Sequence, residues 1–112
     1  MTDKYKIVEI LHYTLKKGTG DEFHHIMREV SVPLHRRHGI DVVLFANSIH
    51  NPDCYCLIRA FASEDSMASA LDTFYSGSDW RTGPRAEIIR RIDSSMKCVL
   101  TLSPGAVESL RG

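Results

Sequence analysis

Apolar and polar positions follow two different rhythms along this chain. Lys6–Leu15 (KIVEILHYTL) is rich in Ile, Val, Leu, Tyr and Thr, has nearly every position apolar or amphipathic, and is closed by Lys16-Lys17-Gly18. That pattern predicts a strand covered on both faces. Thr19-Gly20-Asp21-Glu22 has the form of a capping box, and Phe23, Ile26, Met27, Val30 and Leu34 follow at helical spacing up to the basic last turn Arg36-Arg37-His38 and Gly39. Pro33 interrupts this helix and predicts a kink or two helical pieces, because proline removes a backbone hydrogen bond and clashes with the preceding turn. Residues 40–49 (IDVVLFANSI) and 54–61 (CYCLIRAF) are two more strands, joined as a hairpin by the polar turn His50-Asn51-Pro52-Asp53. Ser63-Glu64-Asp65 opens a helix with the stripe Met67, Ala70, Leu71, Phe74 and Tyr75, closed by Gly77. Pro84 suits a first helical turn, with Arg85, Ile88, Ile89 and Ile92 on one face. Residues 96–102 (MKCVLTL) form the last strand, and the stretch after Ser103-Pro104-Gly105 is expected to fray.

The order strand, helix, strand, strand, helix pair, strand is two βαβ units, each about half the chain. It is the ferredoxin-like split βαβ plan: an α+β fold with a four-stranded antiparallel sheet and helices on one face. The 112 residues form one domain, with a core at about 7–102 and a tail at 103–112. Strands apolar on both faces need a second cover. A homodimer whose sheets pack face to face supplies it.

Charge narrows the partners. Fourteen Lys and Arg balance fourteen Asp and Glu, with seven of each sign in each half, so no basic face for nucleic acid is expected. The longest apolar runs, 42–46 and 54–58, are five residues, against about 20 for a membrane span. The N-terminus runs directly into the first strand without the apolar stretch of a secretion signal, which predicts a cytoplasmic protein. Three cysteines, Cys54, Cys56 and Cys98, lie in strand-like segments and are read as free buried thiols.

Several stretches resemble one family. Glu9-Ile-Leu-His-Tyr-Thr-Leu-Lys-Lys-Gly followed by Gly20-Asp-Glu-Phe is similar to the opening of NIPSNAP-family proteins. The segments 33–40, 55–61 and 74–85 (FYSGSDWRTGPR) resemble bacterial members of the same family. The resemblance covers roughly residues 7–102 and implies the dimeric α+β barrel, a fold shared with the antibiotic-biosynthesis monooxygenases; it implies no particular reaction. An Arg common in the family's first strand is Leu11 here, so no role passes to that position.

Candidate chemistry is sparse. There is no Gly-rich phosphate loop and no nucleophile elbow, and no cofactor is expected. His35 and His38 are spaced i, i+3 beside Arg36 and Arg37, which oppose a cation, and Cys54-x-Cys56 lacks a second pair, so no metal is expected. Polar groups on otherwise apolar segments are more telling. Glu9, Leu11 and Tyr13 share one face of the first strand, and Tyr55, Leu57, Arg59 and Phe61 share one face of the third, its neighbour in this fold; Glu9 and Arg59 are expected to pair. Arg59 is then either half of a structural ion pair or an anchor for an anionic or carbonyl-bearing ligand. Trp80 and Arg85 flank the Gly83-Pro84 turn, either as an Arg covering the core edge or as a pocket mouth. A small-molecule site between sheet and helices would thus draw on Tyr13, Arg59, Trp80, Arg85, His12 and His35, with Asn47 as a further polar group. Three functions fit: a homodimeric small-molecule binder, a cofactor-independent monooxygenase-like or isomerase-like enzyme using His12 or His35 as its acid–base group, and a non-catalytic interaction or sensing protein.

Overall fold

The computed structural model describes residues 5–111. Four antiparallel strands, β1 (Lys6–Leu15), β2 (Asp41–Asn47), β3 (Cys54–Phe61) and β4 (Ile92–Leu102), form one sheet in the order β2-β3-β1-β4. On one face, between β1 and β2, lie α1 (Gly20–Ile26), a π turn (Met27–Ser31) and α2 (Val32–Arg37). Between β3 and β4 the chain forms α3 (Glu64–Ser76), α4 (Ser78–Thr82) and α5 (Arg85–Ile89), and α6 (Pro104–Leu110) follows β4. The α+β architecture is the one the alternation of strand and helix periods predicts.

Pairing decides the two faces. β1 meets β3 with Glu9 opposite Arg59, Leu11 opposite Leu57 and Tyr13 opposite Tyr55, and it meets β4 with Leu11 opposite Lys97. Strand side chains alternate, so these residues share the helix-facing side. The main core lies there, built from Leu11, Leu57 and Tyr55 against Phe23 and Met27 of the first helical run, with Phe74, Trp80 and Ile88 from the second.

The break at Pro33 takes the form of the π turn. Proline offers no N–H to the carbonyl four residues back, and the Val32 N–H reaches to the Met27 carbonyl, five residues back. The capping box at Thr19 does not form. The Thr19 hydroxyl donates to the Lys16 carbonyl at 2.6 Å, and Glu22 pairs with Arg91 at 2.8 Å. Asp53, in the β2–β3 turn, takes over the capping, accepting from Gly18 N and Gly20 N at 2.9 Å each. That closeness requires glycine at 20, where a Cβ would lie 2.1 Å from the Pro52 carbonyl oxygen. Helix α3 is capped locally, since Ser63 and Ser66 each bond the other's backbone N–H at 3.0 Å. Ile92, expected on a helix face, begins β4, which starts four residues before the predicted Met96.

The tail is also corrected. Residues expected to fray form α6, opened by Ser103 Oγ accepting from Ala106 N at 3.1 Å. Val107 is 2% exposed in a second cluster with Val8, Val43, Ile58 and Ala60 on the far face of the sheet. Arg111 holds Asp41 through two 2.8 Å hydrogen bonds. The far face therefore has a cover of its own at one end, which the reasoning from strands alone omitted. Along β4 it stays open, with Met96 and Leu100 exposed.

Val107→Ala should lower unfolding free energy by about 1–2 kcal/mol in chemical denaturation, the cost of removing two buried methyl groups. A value indistinguishable from the parent protein would show that α6 frays in solution.

Candidate functional site

Strand pairing fixes Glu9 directly opposite Arg59, and both lie under the helices, 1% and 2% exposed. Burying two charges costs several kcal/mol each unless they meet each other with good geometry. Arg59 Nε donates to Glu9 Oε1 at 2.7 Å, and Nη2 turns to the same oxygen. Nη1 donates to His35 Nε2 at 3.1 Å and to the Tyr75 hydroxyl at 2.6 Å. The arginine is thus held by three elements, β1, α2 and α3.

These contacts settle the state of His35. Its Nδ1 lies 2.7 Å from the Ser31 carbonyl, which can only accept, so Nδ1 carries the hydrogen and Nε2 offers its lone pair to Arg59. Burial, with the Arg59 charge adding to it, holds its pKa down to about 4. Burial likewise pushes the Tyr13 phenol upward, so that side chain stays protonated at neutral pH.

The pair floors a cleft of about 600 Å3 between β1, β4 and α3. Leu11 and Tyr13 line it from β1, Leu71 and Tyr75 from α3, and Lys97 from β4. Lys97 Nζ stands 3.6 Å from Glu9 Oε2 with its side chain 55% exposed, at the mouth. Chemically the cleft offers a carboxylate oxygen, phenol hydroxyls and an ammonium beside apolar walls.

Of the six expected site residues, Tyr13 and Arg59 line this cleft, and His35 supports it from behind. The other three do not belong to it. Trp80 is buried behind Tyr75, ring centroids 5.0 Å apart, because it completes the aromatic cluster with Phe74. Arg85 is exposed on α5, since that helix turns Ile88 into the core and leaves its first residue to solvent. His12 faces the opposite side of the sheet, as alternation along β1 requires, and is exposed. Asn47 serves the fold, donating to the Gly20 and Pro52 carbonyls at 3.0 and 2.8 Å. His38 bonds Asp79 at 3.1 Å, away from His35, and no group of three or more His, Cys, Asp or Glu suited to a metal occurs among the described residues. The cysteines are free, with Cys54 and Cys56 half-buried and Cys98 exposed rather than buried.

Tyr75 and Lys97 are the residues that sequence reasoning missed. Tyr75 was absorbed in a helical stripe, next to Phe74. The signal for Lys97 was present: alternation in 96–102 puts Lys97, Val99 and Thr101 on one face, which antiparallel pairing with β1 turns toward Glu9.

Arg59→Met should cost about 3–5 kcal/mol of stability by stranding the Glu9 charge, and Glu9→Leu added to it should recover most of that loss. Additive losses in the double variant would mean that the two charges do not depend on each other. The His35 shift carries a pH signature. Its folded-state pKa lies below the ordinary 6.5, so between about pH 6.5 and 4 the unfolded chain binds the proton first. Stability is whole above that window and falls as pH drops through it, by a loss on the order of 3 kcal/mol. Urea titrations at stepped pH should show this slope, and His35→Gln should flatten it.

No family model and no curated protein matches the sequence. Solved structures do match the fold. A NIPSNAP family protein from Agrobacterium tumefaciens superposes with a TM-score of 0.82 at 17% identity, over 93% of this chain and 91% of that one. An uncharacterized NIPSNAP-like domain protein from Burkholderia xenovorans gives 0.80 at 14% identity, over 90% and 88%. A putative antibiotic biosynthesis monooxygenase from Nitrosomonas europaea gives 0.64 at 15% identity, over 84% and 95%. The chain has the fold of the NIPSNAP proteins, which it shares in outline with the monooxygenase.

Proposed function

We propose that this chain is a NIPSNAP-like cytoplasmic protein that works as a homodimer and binds a small molecule in the cleft between sheet and helices. The observation that carries the reading is the Glu9–Arg59 pair, two buried charges that line the floor of a solvent-open cleft. An ion pair needed only for stability gains nothing from an opening beside it.

The enzyme reading is weaker for these side chains. His12 lies on the other face of the sheet, and the His35 lone pair is committed to Arg59, so neither histidine serves the cleft as a base. A purely interacting protein leaves the cleft unexplained. The dimer rests on the far face of the sheet, where Met96 and Leu100 are exposed beside half-buried Ile10, Leu44 and Cys56. A second copy packed face to face covers this patch around a two-fold axis and leaves the clefts on the outer sides.

Native mass spectrometry of protein purified without additives tests both halves. The expected species is about twice 12.7 kDa with a small molecule retained per subunit. A folded monomer at micromolar concentration overturns the homodimer, and a dimer that never carries or takes up a small molecule overturns the cleft reading.

A further inference from the structure

One oxygen of the buried pair is left over. Arg59 places both Nε and Nη2 on Glu9 Oε1, and among the described residues no group donates a hydrogen bond to Oε2. Lys97 Nζ pairs with it in charge at 3.6 Å, longer than a hydrogen bond. The glutamate is 1% exposed and lines the cleft, so apart from Lys97 a donor reaches Oε2 only from the cleft.

Around this acceptor stand groups of the opposite kind. The Tyr75 hydroxyl oxygen already accepts from Arg59, so its proton is free to be donated. The Tyr13 hydroxyl has no hydrogen-bond partner among the described residues, and Lys97 adds an ammonium. The ligand must therefore donate to Glu9 and accept from its neighbours. The 3.6 Å between Oε2 and Nζ puts the ligand's donor and its anion on adjacent atoms. Leu11 and Leu71 offer apolar wall for the remainder, and Lys97, opposed by Asp72 at the same cleft, is cation enough for a single carboxylate.

We propose that the cleft binds a 2-hydroxy monocarboxylic acid carrying an apolar or aromatic substituent. The hydroxyl donates to Glu9 Oε2, the carboxylate accepts from Lys97 Nζ and the tyrosine hydroxyls, and the substituent lies on Leu11 and Leu71. This assignment rests on the small-molecule reading of the cleft and narrows it to one chemical class.

Calorimetric titration of the full chain with three probes tests it: mandelate, phenylacetate, which lacks only the hydroxyl, and benzyl alcohol, which lacks the carboxylate. Mandelate should bind at least tenfold more tightly than either, because each analogue leaves a buried or charged group unpaired. Lys97→Ala, at a largely exposed position, should fold normally, weaken mandelate about tenfold and erase most of its advantage over benzyl alcohol. Glu9→Gln should remove the preference for mandelate over phenylacetate; if that variant fails to fold, Tyr13→Phe and Lys97→Ala still decide. Equal binding of mandelate and phenylacetate overturns the hydroxy-acid class while the cleft stands. Mandelate binding indifferent to both Lys97→Ala and Tyr13→Phe overturns it too, by placing the ligand elsewhere. If no probe binds at millimolar concentration the class is likewise overturned, and the retained-molecule measurement judges the cleft separately.

Discussion

The ion pair between neighbouring strands at the centre of the sheet governs this molecule. Glu9 and Arg59 lie on paired positions of β1 and β3, beneath the helices, and neither charge is tolerable there without the other. The pair fixes register, because a one-residue slip turns one charge to the opposite face and strands both. It also fixes the helices above it. Arg59 has more donors than Glu9 can accept at one oxygen, and the spare hydrogen bonds draw in His35 from α2 and Tyr75 from α3. The ring of His35 must be neutral and of one tautomer to accept, which explains why a histidine in the core costs so little near neutral pH.

The first helical run links this centre to the β2–β3 turn. Asp53 and Asn47 anchor its start at Gly20 through the backbone, and the π turn rotates the chain between Met27 and Ser31 so that α2 presents His35 to Arg59. The irregular turn sits where Pro33 forbids regular continuation, and the Ser31 carbonyl at its end receives the His35 Nδ1 hydrogen. The tautomer below the cleft is thus set by a backbone carbonyl one turn back on the same helical run.

Much of the fold was legible because it depends on local period. Strand alternation in 6–15 and 54–61 gave both the faces and the Glu9–Arg59 pairing, since antiparallel neighbours in a split βαβ sheet constrain which residues meet. What escaped was long-range. Thr19 and Glu22 satisfied a local capping pattern, but Asp53, 33 residues from Gly20, captured the helix end by coming close in space. Trp80 and Arg85 looked like a site because they are near in sequence, and α4 and α5 send one into the core and the other to solvent. The seven residues of α6, opening on Pro104-Gly105, were too few to reveal a helix held by one buried valine and by the ion pair that Arg111, just past its end, makes to β2.

Strand β4 belongs to two surfaces at once. Its odd positions, Ser95 and Lys97, line the cleft, and its even positions, Met96, Cys98 and Leu100, face the far side of the sheet opposite Ile10 and Val8 of β1. It is an edge strand paired only with β1, and nearly all of its residues are exposed, so little else in the subunit holds it. Covering the even positions with a second copy restrains the same backbone that carries Lys97. An ammonium on a restrained strand loses less freedom when it closes on a ligand than one on a free edge. In the proposed homodimer, assembly therefore acts on the cleft without any partner residue entering it, through the rigidity of one strand shared between both faces.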